Sequence, residues 1–255
     1  MIIALLQVSK MLSSTTKNIF RITTCYKNGY FKNGALYTEK HIRVLYRSLM
    51  FYILKYPISI MTNSLTCNDS RILTPAEATS IRNVIEKPSL RALFDLLLYT
   101  GLRLSEVKQL RDNPAIFDHE RRTVTIKSGK KLATQISRNV CLSDKGLLAV
   151  VEYLKNPAVP NSPTAWQMNL IRWAMRARLQ ALPGQEESGN PYGITVRTTR
   201  KSWESWLLAA YPAKVINIVL SQGHTEATAL RHYFNISFTQ TEREAIRDEV
   251  MGWNC

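Results

Sequence analysis

The chain is poor in acid: its 255 residues hold 19 Asp and Glu against 34 Lys and Arg, a formal net charge of +15. An excess of that size points to a polyanionic partner, with nucleic acid the first candidate. Cysteine is also sparse. Cys25, Cys67, Cys141 and Cys255 lie far apart with no Cys-x-x-Cys spacing, which argues against a disulfide framework and a zinc site and fits a reducing compartment. No apolar run approaches the ~20 residues that cross a bilayer. Residues 1–8 lack a basic n-region and are short for a secretory signal. The expectation is a cytoplasmic, DNA-associated protein with no membrane contact. Metal-binding motifs, glycine-rich phosphate loops, internal repeats and low-complexity tracts are all absent, so no cofactor is expected.

What is present falls into two parts. Residues 1–69 read as a basic, poorly patterned segment. The first 60 carry nine Lys and Arg against one acid, Glu39, and a helical period holds only over 41–56, where Pro57 closes it. Either Met61 is the natural initiator or this segment is a loosely ordered basic arm. From residue 70 the pattern sharpens into one domain, 70–255. Thr74-Pro75-Ala76-Glu77 is a capping box and opens a helix to about Glu86. A second helix starts near Ser89, places Leu90, Leu93, Phe94, Leu97 and Leu98 on one stripe, and stops at Gly101. A third covers about Ser105 to Leu110.

Residues 123–126 and 136–142 alternate as strands, with 127–131 as their hairpin connection. Helices are expected again over 143–154, 164–182, 198–210 and 212–221. A last helix starts at a second capping box, Thr239 to Glu242, and runs to about Met251. The fold class is mainly α with a small antiparallel β-sheet (α+β).

Three clusters carry chemistry. Thr100-Gly101-Leu102-Arg103-Leu104-Ser105-Glu106 places an arginine at a break between helices. Arg197-Thr198-Thr199-Arg200 puts two arginines at i, i+3, and Lys201 follows. Gly223-His224 precedes Arg231-His232-Tyr233, nine residues from histidine to tyrosine. Taken singly, these are ordinary residues: an interhelical arginine, a solvated basic face, a capping histidine, one of eleven tyrosines. Together they supply what metal-free phosphodiester cleavage needs. Guanidinium forks grip non-bridging oxygens at any working pH, and a phenol can attack phosphorus.

The joint pattern resembles the tyrosine recombinase (phage integrase) family. Thr100 to Glu106 matches its Thr-Gly-Leu-Arg-x-x-Glu box. Arg197 to Arg200 matches the arginine and spacing of its His-x-x-Arg box. Gly223, His224 and Tyr233 match its Gly-His box and the nucleophilic tyrosine nine residues on. The family's hairpin lysine falls on Lys127, with Lys130 in reserve. The resemblance covers about residues 70–253.

It implies the catalytic-domain fold of the DNA breaking-rejoining enzymes and a 3′-phosphotyrosyl intermediate. Tyr233 is the implied nucleophile, and Arg103, Arg200, Arg197 and His224 attend the phosphate. Lys127 is the acid for the leaving 5′-oxygen, and His224 serves either as base toward the tyrosine or as a donor. Glu106 is a supporting residue that holds Arg103, while Lys130, Lys131 and Lys201 are DNA contacts. Double-stranded DNA, a homotetramer on DNA and accessory DNA-bending proteins are the implied partners, in an integrase of a mobile element or virus.

Departures accompany the match. Arg197 replaces the box histidine, and Lys201 replaces the histidine often found after the second arginine. Residues 1–60 are short and weakly patterned for the helical core-binding domain usual in the family. The C-terminal helix, apolar along Ala245, Ile246, Val250 and Trp253, packs either on its own core or, as is common in the family, on a neighbouring protomer. Two other readings share the pattern: a type IB topoisomerase-like relaxing enzyme, and a non-catalytic DNA-binding remnant that modulates a full-length recombinase.

Overall fold

The computed structural model describes residues 65–67, 70–127, 137–223 and 236–255, all within the unit Asn63–Cys255. Almost all of the basic N-terminal segment, including Met61, lies outside the described residues. Two short strands, β1 (Leu65–Cys67) and β2 (Ser70–Ile72), pair antiparallel. Three residues each are too few to show a period, so neither strand is legible in the sequence. β1 precedes residue 70 and nevertheless belongs to the described fold.

Local cap chemistry then sets the helices. In α1 (Pro75–Asn83), the Glu77 amide donates to Thr74 Oγ1 at 3.2 Å and the Thr74 amide donates back to Glu77 Oε2 at 3.0 Å. A cap of this kind stabilises a helix by ~1 kcal/mol. Helix α2 (Pro88–Thr100) buries Leu93, Phe94, Leu96, Leu97 and Leu98 and packs on the later helices Asp144–Lys155 and Thr198–Ala210. After α3 (Leu104–Asp112) and a 3-10 turn (Pro114–Ile116), strands β3 (Phe117–Asp118), β4 (Thr123–Lys127) and β5 (Ser137–Cys141) form an antiparallel sheet in that order. Lys127 pairs with Ser137, and the rest of the expected 127–131 connection lies outside the described residues.

Ser143 caps α4 (Asp144–Lys155) and Ser162 caps α5 (Pro163–Arg176), each through a side-chain oxygen. Helix α5 ends six residues short of the expected Leu182, because Ala177 caps it and Arg178 turns left-handed at φ 56°. Likewise α1 stops at Asn83 rather than Glu86. Helix α6 (Thr198–Ala210) occupies its expected span and buries Trp203, Trp206 and Leu207. Strand β2 lies along it: the Leu73 amide donates to Ser202 Oγ, and Trp206 Nε1 donates to the Leu73 carbonyl. The next helix, expected over 212–221, opens as a 3-10 turn (Pro212–Lys214) and continues as α7 (Val215–Gln222).

Helix α8 (Gln240–Glu249) folds against its own unit. Ile246, Val250 and Trp253 are buried, Trp253 stacks on Tyr211, and its Nε1 donates to the Cys141 carbonyl at 3.1 Å. Glu249 accepts from Tyr99 and Lys145. Of the two placements open to this helix, the structure takes the one on its own core. The cysteines also depart from expectation: Cys141 and Cys255 are joined as a disulfide across 114 residues of sequence. Their distance along the chain hid a proximity that the docking of the C-terminus creates. No helix among the described residues is long and apolar enough to cross a membrane.

Candidate active site

Two helices end in glycine, and both ends face the same group of arginines. Gly101 closes α2 at φ 64° and Gly223 closes α7 at φ 67°, both left-handed. Such a turn leaves the last carbonyls of a helix exposed, and they carry the negative end of the helix dipole. Arg200, in the first turn of α6, bridges the two ends. Its Nη1 donates to the Gly101 carbonyl at 2.5 Å and its Nη2 to the Gln222 carbonyl. Neither glycine has room for a side chain. A Cβ on Gly101 would strike Trp203 and Gln222, and one on Gly223 would sit 2.8 Å from Arg138 Cδ.

Glu106, buried in the first turn of α3, gathers the other two arginines. Its Oε2 accepts from the Arg103 amide at 2.7 Å, and its Oε1 accepts from Arg103 Nη1 at 2.8 Å. Arg138 of β5 grips the same carboxylate with both Nη atoms, at 3.0 and 2.8 Å, and Arg138 Nε donates to the Ser221 carbonyl at 3.1 Å. Arg103 Nη2 lies 3.5 Å from the Gly223 carbonyl. Thus Glu106 does hold Arg103 in place. The side chain of Arg103 is 46% exposed, against 13% for Arg138 and 7% for Glu106. Arg103 is therefore the member of this pair that can still meet an incoming phosphate.

The cluster is electrostatically strained toward an anion. Burial pulls the Arg200 guanidinium down to about 10, helped by the like charges of Arg103 and Arg138 and opposed by Glu106 and Glu204. Burial also lowers Arg138, with Glu106 opposing and Arg103 reinforcing. An anionic oxygen arriving beside them would relieve the mutual repulsion.

The remaining expected residues are distributed unevenly. Lys127 is exposed at the end of β4, where its backbone is clasped from α3. Gln109 Nε2 donates to its carbonyl and its amide donates to Gln109 Oε1, both at 3.2 Å. The clasp fixes the base of the lysine relative to the helix that carries Arg103. Arg197 is the exposed N-cap of α6, whereas Arg200 is buried, so the two arginines part despite their i, i+3 spacing. The Lys201 amine donates to the Cys67 carbonyl at 2.7 Å and thereby ties α6 to β1, a structural use beyond the expected DNA contact. His224, Tyr233, Lys130 and Lys131 lie outside the described residues. The described stretch 137–223 ends at Gly223, beside Arg103 and Arg138, and His224 is the next residue.

Sequence reading missed Arg138. Its signal was present: Arg138 and Val140 share one face of β5 by the two-residue period, and Val140 is fully buried. A charged residue on the inward face of a strand requires a buried partner. Glu106 is that partner.

Comparison with known proteins follows the same boundaries. The model of the phage integrase family matches residues 71–240. A crystal structure of XerA recombinase is similar at 15% identity and a TM-score of 0.50, over 84% of this chain and 76% of that one. The Tn1549 transposon integrase, in complex with transposon right end DNA, is similar at 19% identity and a TM-score of 0.50, over 89% of this chain and 82% of that one. At those identities the likeness is one of fold. No curated protein matches the sequence.

Proposed function

The chain belongs to the phage integrase family of tyrosine-type site-specific DNA recombinases, and we propose that it exchanges strands of double-stranded DNA through Tyr233. The phenol oxygen attacks a backbone phosphorus, the P–O5′ bond breaks, and a 3′-phosphotyrosyl link forms with a free 5′-hydroxyl. Lys127 protonates the leaving oxygen. The tyrosine proton passes to His224 or to solvent, with His224 then a donor to the phosphate. Because the phosphoester bond is conserved, a second 5′-hydroxyl reverses the step without ATP.

Arg103 and Arg200 stabilise the pentavalent transition state. Donors fixed in place before reaction cost no reorganisation, and each contributes on the order of 3–4 kcal/mol in comparable sites. Arg197, exposed at the start of α6, reaches DNA from the rim, and Lys130 and Lys131 extend the hairpin contact. The observation that carries this reading is the convergence of Arg103 and Arg200 on two glycine-ended helices, one of which leads directly into His224.

The substrate is DNA of a mobile element or virus, recombined by a tetramer with the help of DNA-bending proteins. The experiment uses nicked suicide duplexes tiling the DNA on either side of the coding sequence, with covalent products resolved under denaturing conditions and the adducted peptide sequenced. The expected product is an adduct on Tyr233. Tyr233→Phe should abolish it and keep duplex affinity, and an adduct surviving in that variant would assign the nucleophile elsewhere.

One observation favours a second reading, a relaxing enzyme that works as a monomer: α8 packs on its own unit. Relaxation of supercoiled plasmid with no defined site would select it.

A further inference from the structure

We propose that Arg138 is a positioning residue for strand cleavage, acting through Glu106 on Arg103. The inference rests on the reading of the arginine cluster as a phosphate site. Arg138 joins three parts of that site. Its fork holds both oxygens of Glu106, its Nε holds the Ser221 carbonyl near the end of α7, and its Cδ lies 2.8 Å from where a Cβ on Gly223 would be. The third part is its own strand: Arg138 pairs with Ile126 in the β-sheet, beside the Lys127–Ser137 pair.

The geometry separates positioning from direct catalysis. The three nitrogens of Arg138 are directed at protein oxygens, and the side chain is 13% exposed, so a phosphate does not reach it as it reaches Arg103. What Arg138 controls is the carboxylate. Glu106 has two oxygens, and Arg103 and Arg138 each use both, one through backbone amide and Nη1, the other through its two Nη atoms. Without Arg138, the buried Glu106 carboxyl group loses half its donors. The carboxylate then rotates toward Arg103 or toward water, and the angle at which Arg103 meets a phosphate is lost. The same change releases the end of α7 that precedes His224. One residue therefore sets the register among Arg103, the hairpin lysine and the histidine box.

The test measures first-order adduct formation on the nicked duplex that gives the highest yield with the wild-type chain, at saturating DNA. Arg138→Ala should lower that rate by about 100-fold while the apparent duplex Kd changes less than about 3-fold, the signature of an interaction felt in the transition state. Arg138→Lys keeps the charge and length but not the fork, and should still lose at least about 10-fold. In a Glu106→Gln background, Arg138→Ala should cost less than about 3-fold more, because residues acting as one unit are non-additive. A full 100-fold loss in that background would mean Arg138 touches the phosphate or merely supports the fold, and overturns the proposal. So does an Arg138→Lys rate equal to wild type. If the wild-type chain forms no adduct on any duplex, the reading of the site fails first and this inference falls with it.

Discussion

Gly101 and Arg200 illustrate how the site is built from backbone at the scale of single residues. The glycine lets α2 end with its carbonyl aimed at the guanidinium, and the same Cα position sits against Trp203 and Gln222. Gly101→Ala adds a left-handed penalty of ~1–2 kcal/mol and an overlap costing ~1–3 kcal/mol. Urea unfolding should show a loss of about 2–4 kcal/mol; a loss under about 1 kcal/mol would mean Trp203 and Gln222 yield and the glycine is not required. Both residues were legible in the sequence, since a glycine stop and a pair of arginines spaced i, i+3 are local signals. Their partnership was not: the bond from Arg200 to Gly101 spans 99 residues. The partner of Arg138 was hidden for the same reason, its carboxylate lying 32 residues upstream.

The helices show where local rules suffice. Thr74 with Glu77 and Thr239 with Glu242 form the capping boxes expected of them, because cap hydrogen bonds involve residues three apart. The end of α5 escaped notice because an arginine at positive φ carries no compositional mark, while the run beyond it has no glycine or proline before Pro183. Helix α8 had an apolar stripe in sequence, but a stripe does not say what it packs against. In the structure Ile246, Val250 and Trp253 fill the core of their own unit. Burial of each such side chain contributes ~1.5–3 kcal/mol, a large part of a domain's ~5–15 kcal/mol. Truncation after Ser237 should therefore remove or greatly lower the cooperative thermal transition followed by circular dichroism. A truncated chain that melts within a few degrees of the full one would show that α8 is dispensable to the fold.

Across the whole molecule, the C-terminus is secured to β5, α4 and α7. Cys255 is bonded to Cys141, the Asp144 amide donates to the Met251 carbonyl, and Asn217 donates to the Cys255 carbonyl. A bond that closes a loop this long restricts the unfolded chain and is typically worth ~2–4 kcal/mol. Cys255→Ser should lower the melting temperature, and a reductant should lower that of the wild type similarly while leaving Cys255→Ser unchanged. Equal melting of all four samples would mean the bond contributes nothing. The sequence by itself determined the chemistry of this protein: the excess of cations, the order Arg103, Glu106, Arg200, Gly223, and the helix caps. These are signals of composition and short spacing, fixed by intrinsic charge, reach and backbone preference. Tertiary structure alone decided that Arg138 joins the cluster, that Arg197 parts from Arg200, that Lys201 braces a strand, and that the last helix and the last cysteine close on their own unit. Each of those turns on which distant residues share a desolvated space, a matter settled by packing.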